Sequence, residues 1–292
     1  MPGLDLSALQ GIDVHVHVES DGHGGLSLDD ELLAASARYF KASNDRAPTV
    51  EQIAAYYRER RFAAVVFTVD ATTATGHPGL SSEEMAERAA EHADVLIPFG
   101  SVDPLAGEEA VRRARRLITD HDVRGFKFHP SLQAFEPNDT RFYPLYEALQ
   151  ELGVPALFHT GQTGIGSGLP GGHGVKLRYS DPMLLDDVAA DFPDLTIVMA
   201  HPAVPWVDAQ IAIAQHKANV YIDLSGWSPK YFPPQLVSAI SRQLSTKALF
   251  GTDYPYIDAD RWRRDLEALD IKPEVLPLIF KENALRVLKI DR

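Results

Sequence analysis

Two histidines one residue apart, His15 and His17, close the apolar run GIDVHVHV. Alternation along an extended chain puts both imidazoles on one face, with Asp13 behind them. Three later apolar runs end in residues of the same kind: VPALFHT at His159, LTIVMAH at His201 and KALFGTD at Asp253. A further run, VRGFKFH, carries Lys127 and His129 on a shared face. There is no cysteine, so a metal site must be built from imidazole and carboxylate, which suits zinc or a neighbouring divalent ion. One divalent ion, zinc first among them, is expected on His15, His17 and His159. Asp253 either completes the shell or holds water on the ion, and such water ionises near neutrality. His201 fits proton transfer or polarisation of a substrate. Taken singly, each residue has an ordinary explanation: a buried histidine satisfies its hydrogen bonds, and the aspartate of Gly-Thr-Asp caps a helix. Taken together, polar side chains converging at the ends of apolar strands are costly without a ligand.

Those residues need a scaffold that gathers strand ends. Eight short apolar runs serve: 11–18, 63–69, 95–102, 123–129, 154–160, 195–201, 219–225 and 247–253. Helix-like segments lie between them. SSEEMAERAAEHA opens with a serine cap and early glutamates, and DPMLLDDVAADF opens with Asp-Pro. EEAVRRARRLITDH and FYPLYEALQEL carry apolar residues at helical spacing. Strands alternating with helices imply a parallel sheet, and eight units in 292 residues imply a closed (β/α)₈ barrel with its chemistry at the C-terminal strand ends. No composition shift divides residues 1–292, which read as one domain. The long first connection holds DDELLAASARYF and VEQIAAYYRERRF, two helices inserted after strand one, either a surface excursion or a cap over the barrel mouth. The segment GQTGIGSGLPGGHG contains Gly166-x-Gly168-x-x-Gly171, but Pro170 interrupts it and no helix begins there. It reads as a loop at the mouth rather than a dinucleotide site.

Composition narrows the partners. The formal charge of −13 lacks the basic footprint that nucleic acid demands and disfavours anionic membranes. No spanning run and no signal peptide is read, so a cytoplasmic protein is expected. An anionic substrate would need a cation inside the site. Lys127 is the first candidate, with Arg178 as a second anchor. His129 stands beside Lys127, and Trp227, Tyr254 and their neighbours Tyr231 and Tyr256 could form an aromatic wall.

The motifs Ile12-Asp13-Val14-His15-Val16-His17, Phe158-His159, Asp191-Phe192-Pro193 leading to Ala200-His201-Pro202, Gly251-Thr252-Asp253-Tyr254-Pro255 and Glu282-Asn283-Ala284 span nearly the whole chain. In this order the chain resembles the amidohydrolase superfamily, in the branch that includes aminocarboxymuconate-semialdehyde decarboxylase and the resorcylate decarboxylases. The resemblance implies a zinc-type ion on the strand-one histidines, the strand-five histidine and the strand-eight aspartate, and a catalytic strand-six histidine. It also implies symmetric association, here a homodimer. Elsewhere in the superfamily a strand-four lysine is carbamylated and bridges two metals, which would make His201 a ligand. A free Lys127 beside a single ion, holding a carboxylate or polarising a carbonyl, is the simpler arrangement. One departure stands out. Where those decarboxylases continue the strand-six histidine with a Gly-rich or Gly-Glu segment, this chain has His201-Pro202-Ala203-Val204-Pro205-Trp206.

The expectation drawn from these residues is a metal-dependent hydrolase acting on a small carbonyl compound, cleaving a C–N, C–O or activated C–C bond by attack of water. Non-oxidative decarboxylation of a carboxylated aromatic or enoic acid is the alternative. A non-catalytic metal- or ligand-binding barrel is a third reading, disfavoured because a binder needs no proton-transfer pair. No G-x-S-x-G elbow supports a serine hydrolase.

Overall fold

Strands β1 (Gly11–His17), β2 (Phe62–Phe67), β3 (Leu96–Pro98), β4 (Phe126–Phe128), β5 (Ala156–His159), β6 (Ile197–Ala200), β7 (Val220–Asp223) and β8 (Ala248–Leu249) follow one another in parallel, with helices between them. The computed structural model describes residues 3–41 and 47–290. Residues 1–2 and 291–292 of the expected domain, and 42–46 of the first connection, lie outside the described residues. β1 to β3 pair in order, as do β4 to β8. Two seams close the ring. Between β3 and β4, Gly100 bridges to Phe126, and Lys127 N donates to Gly100 O at 2.8 Å. Between β8 and β1, Val14 N donates to Phe250 O at 2.9 Å and Asp253 N to His15 O at 3.0 Å. The result is the (β/α)₈ barrel.

Alternation along the strands divides the core in two. Val66, Phe126, Phe158, Met199, Ile222 and Phe250 pack outward against the helices. Ile12, Val65, Ile97, Leu157, Val198 and Leu249 fill the barrel interior, and Ala284 and Leu285 of the C-terminal helix pack against that filling. Both faces of the sheet are therefore dry, as a parallel sheet requires. The chemistry-bearing side chains lie beyond this filling.

β1 departs from strict alternation. Its register with β2 shifts between Asp13 and Val16, the mark of a β-bulge. Asp13 consequently does not stand behind the two histidines. It turns to the helix layer, where it accepts from Tyr57 Oη and Thr252 Oγ1, each at 2.7 Å. Burial pushes its carboxyl up to about 7, against those hydrogen bonds. Through Thr252 this contact ties β1 to the loop that carries Asp253.

The first connection does contain two helices, α1 (Asp30–Phe40) and α2 (Val50–Arg60). Asp29 caps α1 by accepting from Leu32 N at 2.9 Å, and Thr49 N at the start of α2 donates to Gln52 Oε1 at 3.0 Å. α2 packs on the sheet through Ile53, Ala54 and Tyr57. α1 instead brings Ser36, Tyr39 and Phe40 to the cavity at the strand ends. Among the described residues no helix is long and apolar enough to cross a membrane.

Candidate functional site

His201 follows the last residue of β6 and Asp253 lies four residues beyond the end of β8, and each has a φ of 69°. Left-handed backbone is uncommon for residues with a side chain, and it clusters where a site needs a particular direction. At His201 it follows the point where the chain leaves β6, while at Asp253 the backbone still bonds to β1 through His15 O.

Three donor atoms form a tight triangle. His15 Nε2 and His17 Nε2 are 3.3 Å apart, His15 Nε2 and Asp253 Oδ1 are 3.3 Å apart, and His17 Nε2 and Asp253 Oδ1 are 3.1 Å apart. Ligand atoms about 2.0–2.2 Å from one ion are separated from each other by roughly 3.0–3.5 Å. The triangle fits a divalent ion. His201 also brings a ring nitrogen within 4.8 Å of the His15 and Asp253 donors. His159 Nε2 is buried with no hydrogen-bond partner among the described residues, a costly state unless something binds it. Ligation wants neutral imidazole and ionised carboxylate, and His159, His201 and Asp253 lean that way. Burial holds His159 well below the usual histidine range and pushes His201 down to about 3. Burial alone would raise Asp253, but the His15 and His17 rings beside it outweigh burial and keep this carboxyl well below the usual range.

Lys127 does not reach outward. It is 1% exposed, with Nζ 3.1 Å from His15 Nε2 and 5.0 Å from the centre of the Phe67 ring. Burial lowers it to about 8, against the pull of Asp253 and Asp223. Among the described residues no carboxylate lies within ion-pairing distance of Nζ. His129 accepts from Leu132 N at Nδ1, so its proton sits on Nε2, 3.3 Å from Thr163 Oγ1. It thus caps a turn and lines the cavity at once.

The cavity over this cluster opens to solvent and, counted with that open space, spans about 730 Å³. Its floor carries His17, Lys127, His129, His159, His201 and Asp253. Trp227 joins the walls with Tyr256 and with Phe40 of α1, whose ring stacks on Tyr256 at 4.6 Å. Gln162 Nε2 donates to Tyr39 Oη at 2.7 Å, tying α1 to the loop after β5. Two expected contacts are not brought in. Arg178 is 67% exposed and pairs with Glu136 at 3.5 Å, because its short helical turn faces solvent. Tyr254 packs on Tyr56 at 4.5 Å in the layer of α2 rather than lining the cavity.

Sequence reasoning missed three residues. Asp223 ends β7 with Oδ2 2.5 Å from His15 Nδ1, and Ser225 follows it into the site. Both lie in the NVYIDLS run, so the same inspection of strand ends would have found them. Glu19 is buried in the cavity wall, where Ser27 Oγ donates to it.

Comparison with known proteins agrees with this architecture. A family model described as amidohydrolase matches residues 12–290. No curated protein matches the sequence significantly. An uncharacterised TIM-barrel protein from Bordetella bronchiseptica superposes with a TM-score of 0.75 at 23% identity, covering 96% of this chain and 98% of that one. A 5-carboxyvanillate decarboxylase from Novosphingobium aromaticivorans, solved with manganese and 4-hydroxy-3-methoxy-5-nitrobenzoic acid, gives 0.69 at 16% identity, covering 98% and 97%. A dihydroxybenzoic acid decarboxylase from a Polaromonas species, with manganese and the inhibitor 2-nitroresorcinol, gives 0.69 at 18% identity, covering 97% and 98%. With the family model spanning nearly its full length, the chain belongs to the amidohydrolase family.

Proposed function

We propose that this protein is a metal-dependent lyase that decarboxylates a carboxylated aromatic acid without oxidation. The observation that carries the reading is Lys127, a buried ammonium on the cavity floor with no carboxylate partner among the described residues, under walls of Phe40, Tyr256 and Trp227. A buried cation wants an anion, and aromatic walls want a flat ring. The decarboxylases of similar fold act on such acids. The hydrolytic expectation therefore gives way to its alternative: metal hydrolysis of a neutral carbonyl compound leaves Lys127 without a partner. The proton-transfer group His201 keeps the non-catalytic barrel the weakest reading.

His15, His17, His159 and Asp253 would hold the ion, zinc or manganese, which supplies positive charge to the substrate's oxygens when bound. Lys127 Nζ would bind the carboxylate and orient the ring carbon that carries it. The apolar walls exclude water, which disfavours the charged carboxylate relative to neutral carbon dioxide. As the ring–carboxylate bond breaks, its electron pair stays on the ring carbon. His201 would hand on the proton that carbon takes up, so carboxylate plus one proton gives arene plus carbon dioxide. The reading extends to one barrel domain over residues 1–292, a homodimer and a cytoplasmic location, tested by sedimentation and cell fractionation.

The test is incubation of the manganese- or zinc-loaded protein with 2,6-dihydroxybenzoate and 5-carboxyvanillate in water enriched in heavy oxygen. Carbon dioxide release with an unlabelled arene supports the reading. Heavy oxygen in an organic product from an ester, lactone or amide panel, with no turnover of the acids, would restore hydrolysis.

A further inference from the structure

Ser225 stands where three polar groups meet. Its Oγ lies 2.8 Å from Asp223 Oδ2, 2.9 Å from His201 Nδ1 and 3.0 Å from His15 Nδ1. Asp223, Ser225 and His15 are fully buried and His201 is 5% exposed, so no solvent competes for these contacts. Two glycines leave the room they need. A Cβ on Gly251 would meet Asp223 Oδ1, and one on Gly226 would meet His201 Nδ1, both inside the 3.0 Å that real Cβ atoms respect. Gly226 also has a φ of 73°, which glycine adopts freely.

The protons in this cluster can be counted. An ionised carboxylate only accepts. Asp223 Oδ1 takes the Ser225 N–H at 3.0 Å. Oδ2 lies 2.5 Å from His15 Nδ1, a contact that needs a proton between the two atoms, so His15 carries its proton on Nδ1. Ser225 has one hydroxyl proton and gives it to Oδ2. Towards His201 its oxygen can then only accept, which requires a proton on His201 Nδ1 as well. The opposite assignment sends the serine proton to His201 Nδ1. It moves that ring's own proton to Nε2 and removes the hydroxyl donor from Asp223.

We propose that Ser225, anchored by Asp223, is a positioning residue that fixes the same tautomer in two histidines at once, leaving Nε2 of both His15 and His201 as a bare lone pair. One ring is thereby set up to bind an ion and the other to take up and hand on a proton. The roles given to the two rings rest on the proposed function, but the tautomers do not depend on it.

Nitrogen NMR of the full-length protein labelled at histidine, with and without added Zn²⁺, reads each ring nitrogen separately. The expected wild-type spectrum shows protonated Nδ1 and unprotonated Nε2 for both His15 and His201. Ser225→Ala should leave His15 unchanged and lose the Nδ1 proton signature of His201, while Ser225→Thr should restore it. Asp223→Asn should disturb both rings and weaken Mn²⁺ binding about 10- to 100-fold, the usual effect of removing a carboxylate behind a ligating histidine. A wild-type His201 protonated on Nε2 overturns the proposal, even if no variant folds. So does a Ser225→Ala spectrum identical to the wild type. If the tautomers appear as expected but no acid is decarboxylated, the proposed function fails and the positioning role stands.

Discussion

The His129 and His159 rings stack face to face, 3.8 Å between centroids and 8° from parallel. His129 is itself held at both ring nitrogens, by Leu132 N and by Thr163. The stack therefore acts as a backstop that sets the plane of His159, whose Nε2 is otherwise without a partner among the described residues. His129→Ala is expected to lower Mn²⁺ affinity about tenfold, as loss of an outer contact to a ligand does, while His129→Phe keeps much of it. Metal titration followed by electron paramagnetic resonance measures both. Equal affinity in all three proteins would remove this role.

Lys127 should matter for binding the acid more than for holding the ion. A charge-assisted hydrogen bond contributes about 1.5–3 kcal/mol, so Lys127→Met is expected to raise KM for an aromatic acid about 10- to 100-fold with metal content near wild type. Metal analysis beside steady-state kinetics checks this. Loss of metal in step with activity would instead point to a modified lysine that ligates.

Removal of the ion by a chelator is expected to abolish turnover, and Mn²⁺ or Zn²⁺ to restore it. An ion that binds only the folded chain also stabilises it, by about 2.7 kcal/mol at a hundred times its Kd. Added metal should therefore raise the Tm of the chelated protein. It should not do so for His15→Ala or Asp253→Ala. A rise that survives both substitutions would place the ion elsewhere.

The parts of the site legible in sequence are those that obey a period. His15, His17, His159, His201 and Asp253 close apolar runs, and barrel geometry gathers such ends wherever they occur. Asp13 was misplaced because the β1 bulge breaks the period, and nothing in IDVHVH marks where an extra residue enters. Arg178 and Tyr254 lie in loops, where residue type says what a side chain could bind but not where it points. The stacking of Phe40 on Tyr256 joins two connections 216 residues apart by numbering, a tertiary contact that local pattern cannot carry.

Acid sensitivity should trace partly to Arg113. Its guanidinium meets Glu83 through two hydrogen bonds of 2.8 Å and also contacts Asp70 at 2.5 Å, joining three segments on the β2–β3 side of the barrel. The Arg113 hydrogen bonds hold the Glu83 carboxyl down to about 2, from an ordinary 4.5. A lowered folded-state value means the unfolded chain binds the proton more readily. The contribution is thus complete above the ordinary value and is lost as pH falls from 4.5 through about 2. Glu83 is a third exposed, so solvent screens the pair, and the whole effect is set at about 1 kcal/mol. Glu83→Gln is expected to lower stability by that amount at pH 7, roughly 2–4 °C in Tm, with the gap to wild type closing towards pH 2. Thermal melts of both proteins across this range decide it. A gap that stays constant with pH would show that packing, not the charge, is what Glu83 contributes.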